Sequence, residues 1–210
     1  MAARTYRYFD PLAQALDDAG ERWALLIVRE LLDGPRRYGD LQQRLPGLST
    51  ARLADRLREL RAAGLIEEGY ELTADGRMLA PAIHALTRFG LHRLRPLPGM
   101  ATVYRPAFAA HALRALADAA RPAAGTFTSI TQVEGEMFCT RHDERGAVTW
   151  VGDPGTPSAD IVGLDTITAL SLATGAWSLA DAQRDGYLDL ARTSDGGRRW
   201  ARAHRLAADQ

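Results

Sequence analysis

Residues 34–63, GPRRYGDLQQRLPGLSTARLADRLRELRAA, decide how the first half of the chain folds. The pattern predicts a short helix over Tyr38–Leu45, which Pro46-Gly47 ends because proline cannot donate the next helical hydrogen bond. Ser49 then occupies the N-cap position of a second helix, where its hydroxyl can accept a backbone N–H of the first turn. The stretch therefore predicts two helices joined by a tight turn.

The second helix of this stretch has one apolar face and one charged face. Leu53, Leu57 and Leu60 recur at helical spacing and form the apolar stripe. Arg52 and Arg56 lie among the polar residues of the other face. A helix with one buried apolar face and an arginine in its first turn is typical of a helix-turn-helix DNA-binding motif. Amphipathic helices with surface arginines also occur in proteins that do not bind DNA.

The flanking segments favour the DNA reader. Upstream, RWALLIVRELL (22–32) predicts an apolar helix that ends at the Asp33-Gly34-Pro35 sequence. Downstream, two short β-prone runs, Leu65–Ile66 and Tyr70–Leu72, surround an acidic Glu67-Glu68-Gly69 turn and predict a small hairpin. Three helices followed by a hairpin make a winged helix.

The region from residue 10 to residue 95 resembles the HxlR group of bacterial winged helix-turn-helix transcription regulators. The resemblance rests on RWALLIVRELL, on the LLDGPRRYGDL block, on the LPGLS turn and on LRELRAAGLI. Many members carry a Cys-Pro pair at the start of this region, and some sense oxidants or aldehydes with that thiol. Asp10-Pro11 stands there in this chain, so we expect no thiol sensing at this place.

The winged helix predicts double-stranded operator DNA as a partner. We expect the start of the second helix to enter the major groove, and the arginines before the first helix to contact phosphates. Residues 34–62 hold seven arginines against three acidic residues, a local charge of +4 in a chain whose net charge is zero. The predicted DNA-binding residues are Arg36, Arg37, Tyr38, Ser49, Thr50, Arg52, Asp55 and Arg56.

Two further helices bear on assembly. One is predicted over Pro11–Asp18, and the other follows a Thr73 cap and either starts or kinks at Pro81. In HxlR proteins the N-terminal and terminal helices form the dimer interface, so the resemblance implies a homodimer. The alternative is that the apolar stripe packs on its own domain. That stripe consists of Leu79, Ile83, Leu86 and Phe89.

Composition predicts a cytoplasmic protein without a membrane span. The chain has 210 residues, of which 46% are hydrophobic, and no stretch approaches the roughly 18 consecutive apolar residues of a membrane helix. The first ten residues lack the apolar core of a secretory signal. The single cysteine, Cys139, precludes an intrachain disulfide, and the five scattered histidines suggest no metal site. We expect no cofactor.

The predicted fold class is α+β, with a boundary near residue 100. A winged helix-turn-helix domain over 1–95, mostly helical with a short hairpin, is followed by a proline-rich linker over 96–106 and a small α+β domain over 107–210. In that second domain the pattern predicts a helix over 108–120, one long bent strand or two strands within 125–144, strands over 147–152, 159–165 and 187–191, and helices over 167–177, 178–186 and 197–206.

The segment from residue 145 to residue 207 resembles the sterol-carrier-protein-like domain in the order of its strands and helices. That resemblance implies an apolar cavity for a small hydrophobic or aromatic molecule. Large apolar residues at these positions could equally be ordinary core. The predicted ligand-binding residues are Phe127, Ile130, Met137, Phe138, Trp150, Trp177 and Tyr187.

Three functions then compete. The first, which we favour, is a ligand-responsive transcriptional repressor that binds DNA through residues 34–62 and an effector through the second domain. The second is a carrier or resistance protein that sequesters a hydrophobic compound and uses the winged helix only to dimerise. The third is a methyltransferase-like enzyme. Against it stand the lack of a glycine-rich nucleotide-binding unit and the lack of any recognisable catalytic set.

Overall fold

The computed structural model describes residues 6, 9–94, 106–119, 126–134, 136–143, 146–151, 160–188, 194–204 and 206. The chain divides into two compact units, Met1–Ile83 and His84–Gln210. This division lies within a helix, whereas the sequence indicated a boundary in the 96–106 linker. Residues 95–105 lie outside the described residues. Within the described ranges no helix combines the length and the apolar character that crossing a membrane requires.

The first unit is helical, and side-chain caps begin several of its helices. The Asp10 carboxylate accepts the Ala13 N–H at 2.6 Å, and the Thr73 hydroxyl accepts the Gly76 N–H at 3.0 Å. Pro11 occupies the first helical position, where its missing N–H costs nothing. The helices are α1 (Pro11–Ala19), α2 (Ala24–Leu31), α3 (Tyr38–Arg44), α4 (Thr50–Ala62) and α5 (Ala74–Arg77). Helix α6 (Ala80–Leu91) begins in this unit and continues into the second.

The segment after Thr73 forms two helices rather than one. Helix α5 ends after one turn, and α6 starts at Ala80 with Pro81 in its first turn, so the proline begins a helix and does not kink one. Gly76 explains why α5 stays where it is. A Cβ at this position would lie 2.1 Å from the Leu65 carbonyl oxygen, so a side chain there would push α5 off the backbone beneath it.

The predicted apolar stripe of α4 forms the centre of the first unit. Leu53, Leu57 and Leu60 are at most 3% exposed and pack in one cluster with residues of α2 and α3. The predicted hairpin is reduced to a single bridge between Ile66 and Leu72. The ladder does not extend because Tyr70 adopts a left-handed conformation, with φ of 54°, and turns the chain sharply. The wing is therefore very short.

The second unit combines a four-stranded sheet with four helices among its described residues. The sheet order is β3-β2-β1-β4, antiparallel except for the parallel β1–β4 pair. The elements are α7 (Pro106–Ala119), β1 (Phe127–Val133), β2 (Glu136–Asp143), β3 (Gly146–Val151), β4 (Asp160–Leu164), α8 (Thr166–Thr174), α9 (Leu179–Arg184) and α10 (Ser194–Ala203). The described chain is therefore α+β, as the sequence predicts.

The second unit settles one open point of the sequence interpretation and differs from it at another. Residues 125–144 contain two strands, because Glu134 turns the chain with φ of 48°. The predicted strand over 187–191 is not present at Tyr187 and Leu188, and its remaining residues lie outside the described residues. The core joins sheet and helices: Val133 and Phe138 pack in one cluster with Trp200 of α10.

Candidate nucleic-acid interface

The N-terminus of α4 is held in place by its own cap and by α3. Ser49 has extended backbone angles, and its hydroxyl accepts the Arg52 N–H at 3.4 Å. The Tyr38 hydroxyl of α3 donates to the Thr50 carbonyl at 2.8 Å, and the Gln42 amide donates to the Thr50 hydroxyl at 2.7 Å. The structure thus brings Tyr38, Ser49 and Thr50 together at the end of α4 that the sequence assigned to DNA.

Two of the predicted DNA-contacting arginines are available at the surface. Arg37, the residue before α3, and Arg52, in the first turn of α4, are both exposed. Within the part of the chain that the structure describes, neither guanidinium forms an ion pair. Their full charge can therefore be directed at phosphates or at base edges.

The other two predicted arginines are engaged within the protein. Arg36 lies 3.7 Å from the Asp33 carboxylate and donates from Nε to the Glu30 carbonyl at 3.4 Å. Arg56 lies 2.5 Å from the Glu59 carboxylate and 3.5 Å from that of Glu21. These acids reduce the charge that the sequence window suggested. A DNA contact by Arg36 or Arg56 would have to replace a contact that already exists.

Two further predicted DNA-binding side chains also have partners within the protein. Asp55 forms an ion pair with Arg58, with 2.8 Å between carboxylate and guanidinium. The ring of Tyr38 lies 6.4 Å from that of Tyr70, and its hydroxyl is bound to Thr50. Sequence reasoning missed Gln42, although the four-residue spacing from Tyr38 places both on one face of α3.

A buried carboxylate connects α2 to α3. Glu30 is fully buried and accepts from Arg29 at 2.8 Å and from Arg44 at 2.7 Å, one arginine on each carboxylate oxygen. A charge in the interior persists only when it is paired and hydrogen-bonded in this way. Arg44, which is about four-fifths buried, therefore holds α3 against α2, whereas Arg29 lies beside Glu30 on α2 itself.

The comparisons with known proteins concern this first unit. Residues 19–97 match the family model for the HxlR-like helix-turn-helix. An HTH-type transcriptional regulator of Synechocystis is 37% identical in an alignment 90 residues long that covers 38% of this chain and 67% of that protein. YvaP of Bacillus subtilis, also an HTH-type transcriptional regulator, is 31% identical over 93 residues, 40% of this chain and 86% of YvaP. The chain belongs to the HxlR-like helix-turn-helix family.

The HxlR-like match does not extend to the sheet and helices from α7 onward. The family model ends at residue 97, before α7 begins. An HTH-type transcriptional regulator of Mycobacterium tuberculosis, 38% identical over 91 residues, likewise covers 39% of this chain and 57% of its own length. No solved structure matches the chain significantly. The sterol-carrier-like resemblance of the second unit therefore remains a prediction.

The structure does not gather the seven predicted ligand-binding residues of this HxlR-like protein at one place. Strand alternation and register put Phe127 and Phe138 on one face of the sheet, and Ile130 and Met137 on the other. Trp150 pairs with Cys139 in the β2–β3 register. Trp177 and Tyr187 form a separate stacked pair near α9, with 4.9 Å between ring centroids, and Tyr187 is 52% exposed.

Two buried histidines form a cluster that sequence reasoning did not identify. His142 of β2 stacks on Phe127 at 4.5 Å and lies 5.8 Å from the ring of His204, which follows α10. The Nδ1 of His204 lies 2.8 Å from the Trp200 carbonyl. Burial lowers the pKa of both histidines to about 4, so both rings are neutral at pH 7.

Proposed function

We propose that this chain is a transcriptional repressor that binds operator DNA as a homodimer and senses a small hydrophobic or aromatic molecule through its second domain. The observation that carries the DNA-binding part is the fixed N-terminus of α4. Two hydrogen bonds from α3 fix Thr50 at the start of α4. Arg37, before α3, and Arg52, in the first turn of α4, are both exposed. A pre-formed helix end beside unpaired guanidinium groups is suited to the major groove.

Exposed apolar side chains support the homodimer. Leu12 and Leu16 of α1 are 67% and 42% exposed. Leu86 and Phe89 of α6 are 54% and 60% exposed. Large apolar groups clustered on a helix face are commonly covered by a partner. Two copies related by a two-fold axis would place their α4 helices in half-sites about 10 base pairs apart, or a multiple of that spacing. Repression is the simplest outcome, because a bound dimer obstructs transcription without a polymerase-contacting surface.

The aromatic pair near α9 supports effector binding in the second domain. Trp177 and Tyr187 stack on each other, and more than half of the Tyr187 side chain faces solvent. Aromatic side chains at the surface offer large apolar area at small entropic cost, which suits an apolar ligand. The sterol-carrier-like resemblance of residues 145–207 favours the same class of molecule.

The DNA-binding proposal predicts different effects for the two exposed arginines. Arg52→Ala should relax base preference and reduce affinity for the specific site by about 1–3 kcal/mol, because Arg52 is placed to reach base edges. Arg37→Ala should weaken all sequences alike and lower the salt dependence of binding, because its contact is to phosphate. Fluorescence anisotropy on the protein's own upstream DNA and on random DNA, at several salt concentrations, measures both.

Arg184→Ala is the matched control, since Arg184 is an exposed arginine of the second unit and is paired with Asp181. It should leave all DNA affinities unchanged. Equal losses on specific and random DNA for Arg52→Ala would contradict its assignment to base edges. If no upstream DNA binds even at low salt, the regulator proposal is wrong and the carrier function takes its place.

The sensing proposal predicts reciprocal coupling between effector and DNA. An effector that weakens DNA binding by about 5–150-fold must itself bind more weakly to the DNA complex by the same factor. Candidate aromatic metabolites can be titrated against tryptophan fluorescence with and without operator. Trp177→Ala should weaken effector binding and leave effector-free DNA binding intact. Equal effector affinities in the two titrations would show a bound molecule that does not regulate.

A further inference from the structure

Two hydrogen bonds from α3 converge on one residue of α4. Thr50 is the first residue of α4, and it receives the Tyr38 hydroxyl on its carbonyl and the Gln42 amide on its side-chain oxygen. The side chains of Gln42 and Thr50 are nevertheless exposed, as is the neighbouring Arg52. Residues that pack only for stability are commonly buried, whereas this pair is ordered and faces outward.

The hydrogen bond between Gln42 and Thr50 leaves one donor and one acceptor side by side. Because the threonine oxygen accepts from the Gln42 Nε2, the hydroxyl hydrogen points away, and the Gln42 Oε1 stays open as an acceptor. If the amide is turned by 180°, Thr50 donates to Oε1, while the amide N–H groups and the Thr50 lone pairs point outward. Either arrangement presents both hydrogen-bonding functions.

This pairing of functions matches one base in the major groove. Adenine offers N7 as an acceptor beside N6–H₂ as a donor, whereas guanine offers two acceptors, N7 and O6. A donor next to an acceptor satisfies both groups of adenine. Against guanine it would leave an acceptor facing an acceptor, which costs the desolvation of both.

We infer that Gln42 and Thr50 read an adenine of an A·T pair as a single unit, and that Tyr38 is a positioning residue for that unit. The inference rests on the proposed DNA-binding function and assigns a base preference to it. Tyr38 acts through the Thr50 backbone. Its hydroxyl donates to the Thr50 carbonyl and so fixes the position of the residue that carries the threonine side chain. Its ring is half-buried against the first unit and does not need to touch DNA.

The experiment compares base preference position by position. Duplexes carrying every single base-pair substitution in one half-site of the upstream DNA are titrated with the wild-type protein, Gln42→Ala and Thr50→Val. The wild type should favour A·T at one position by about 5–150-fold, the discrimination that 1–3 kcal/mol provides. Both variants should lose the A·T preference at that position and keep the wild-type base preferences at the other positions. Placing 7-deazaadenine at that position should weaken the wild type similarly.

Matched variants separate this inference from a loss of folding. Thr50→Ser keeps the hydroxyl and should keep the preference, and Gln43→Ala removes an exposed neighbouring glutamine and should change nothing. Tyr38→Phe should reduce discrimination at the same base pair without changing the salt dependence. The double variant Gln42→Ala/Thr50→Val should lose no more than either single variant, because the two side chains act together.

The outcomes also distinguish the two levels of proposal. A wild-type protein that binds no DNA contradicts the regulator function and this inference together. A wild-type protein that binds specifically, with variants that keep every preference, contradicts only the assignment of Gln42 and Thr50. If the two variants lose affinity at two different base pairs, or equally on all sequences, Gln42 and Thr50 do not act as one unit. Either result also overturns this inference.

Discussion

Replacing Glu30 by alanine should lower the free energy of unfolding of the first unit by about 3–5 kcal/mol. The variant removes a fully buried carboxylate and leaves Arg29 and Arg44 without their shared partner in a largely buried position. The loss is large because both guanidinium groups lose a carboxylate partner at a position that water reaches poorly. It is comparable to the whole stability of many small domains, which is about 5–15 kcal/mol.

Native-state hydrogen exchange at the amides of α2, α3 and α4 measures this change, because the fluorescence of the four tryptophans would mix both units. Glu59→Ala is the control, since Glu59 forms an exposed ion pair with Arg56 in the same unit. Such pairs contribute about 0–1 kcal/mol, so this variant should remain close to the wild type. A Glu30→Ala protein as stable as Glu59→Ala would contradict the role assigned to the buried carboxylate.

Acidification from pH 6.5 to pH 4 should destabilise the second unit by about 3 kcal/mol for each of His142 and His204. Burial lowers the pKa of both rings to about 4 in the folded protein, whereas an unfolded histidine binds its proton near pH 6.5. The unfolded chain therefore binds more protons in this window. The folded second unit therefore keeps its full stability above pH 6.5 and loses stability progressively as the pH falls towards 4.

The histidine effect is measured by urea unfolding at a series of pH values in a Trp23→Phe background. The remaining tryptophans, Trp150, Trp177 and Trp200, all belong to the second unit. His142→Phe keeps a ring beside Phe127 and should remove about half of the histidine-dependent slope. Gln183→Ala changes an exposed residue that does not titrate and should leave the profile unchanged. An unchanged slope after both His142 and His204 are replaced by phenylalanine would refute the explanation.

The Glu30 cluster also bears on DNA binding. Arg44 lies in the last turn of α3, the helix that carries Tyr38 and Gln42. The Arg44–Glu30 ion pair therefore helps to fix α3, whose Tyr38 and Gln42 side chains bond to the N-terminus of α4.

The sequence by itself determined the local structure of residues 34–63. The Pro46-Gly47 break, the Ser49 cap and the leucine stripe act between residues close in the chain, so their spacing could be interpreted directly. The same stretch carries the HxlR-like resemblance that the family match confirms. The hairpin was overestimated, because β-propensity did not show that Tyr70 would turn the chain after a single bridge.

Only the tertiary structure decided which of the predicted side chains are available. Arg36 and Arg56 looked equivalent to Arg37 and Arg52 in the sequence, but each pairs with an acid outside the 34–62 window, and Arg56 also pairs with Glu59 inside it. Asp33 comes from the loop after α2, and Glu21 from the chain between α1 and α2. The charge of a sequence window cannot include partners that folding brings from elsewhere.

The same reason explains the sites that the sequence did not reveal. The Gln42–Thr50 pair joins two helices across a turn, and the His142–His204 pair joins a strand to the end of a distant helix. Strand alternation then separated apolar residues that the sterol-carrier-like resemblance had grouped, placing Phe138 and Ile130 on opposite faces of one sheet. Spacing along a chain determines helices and their caps, whereas proximity between distant residues follows from packing, because only the folded core fixes which faces meet.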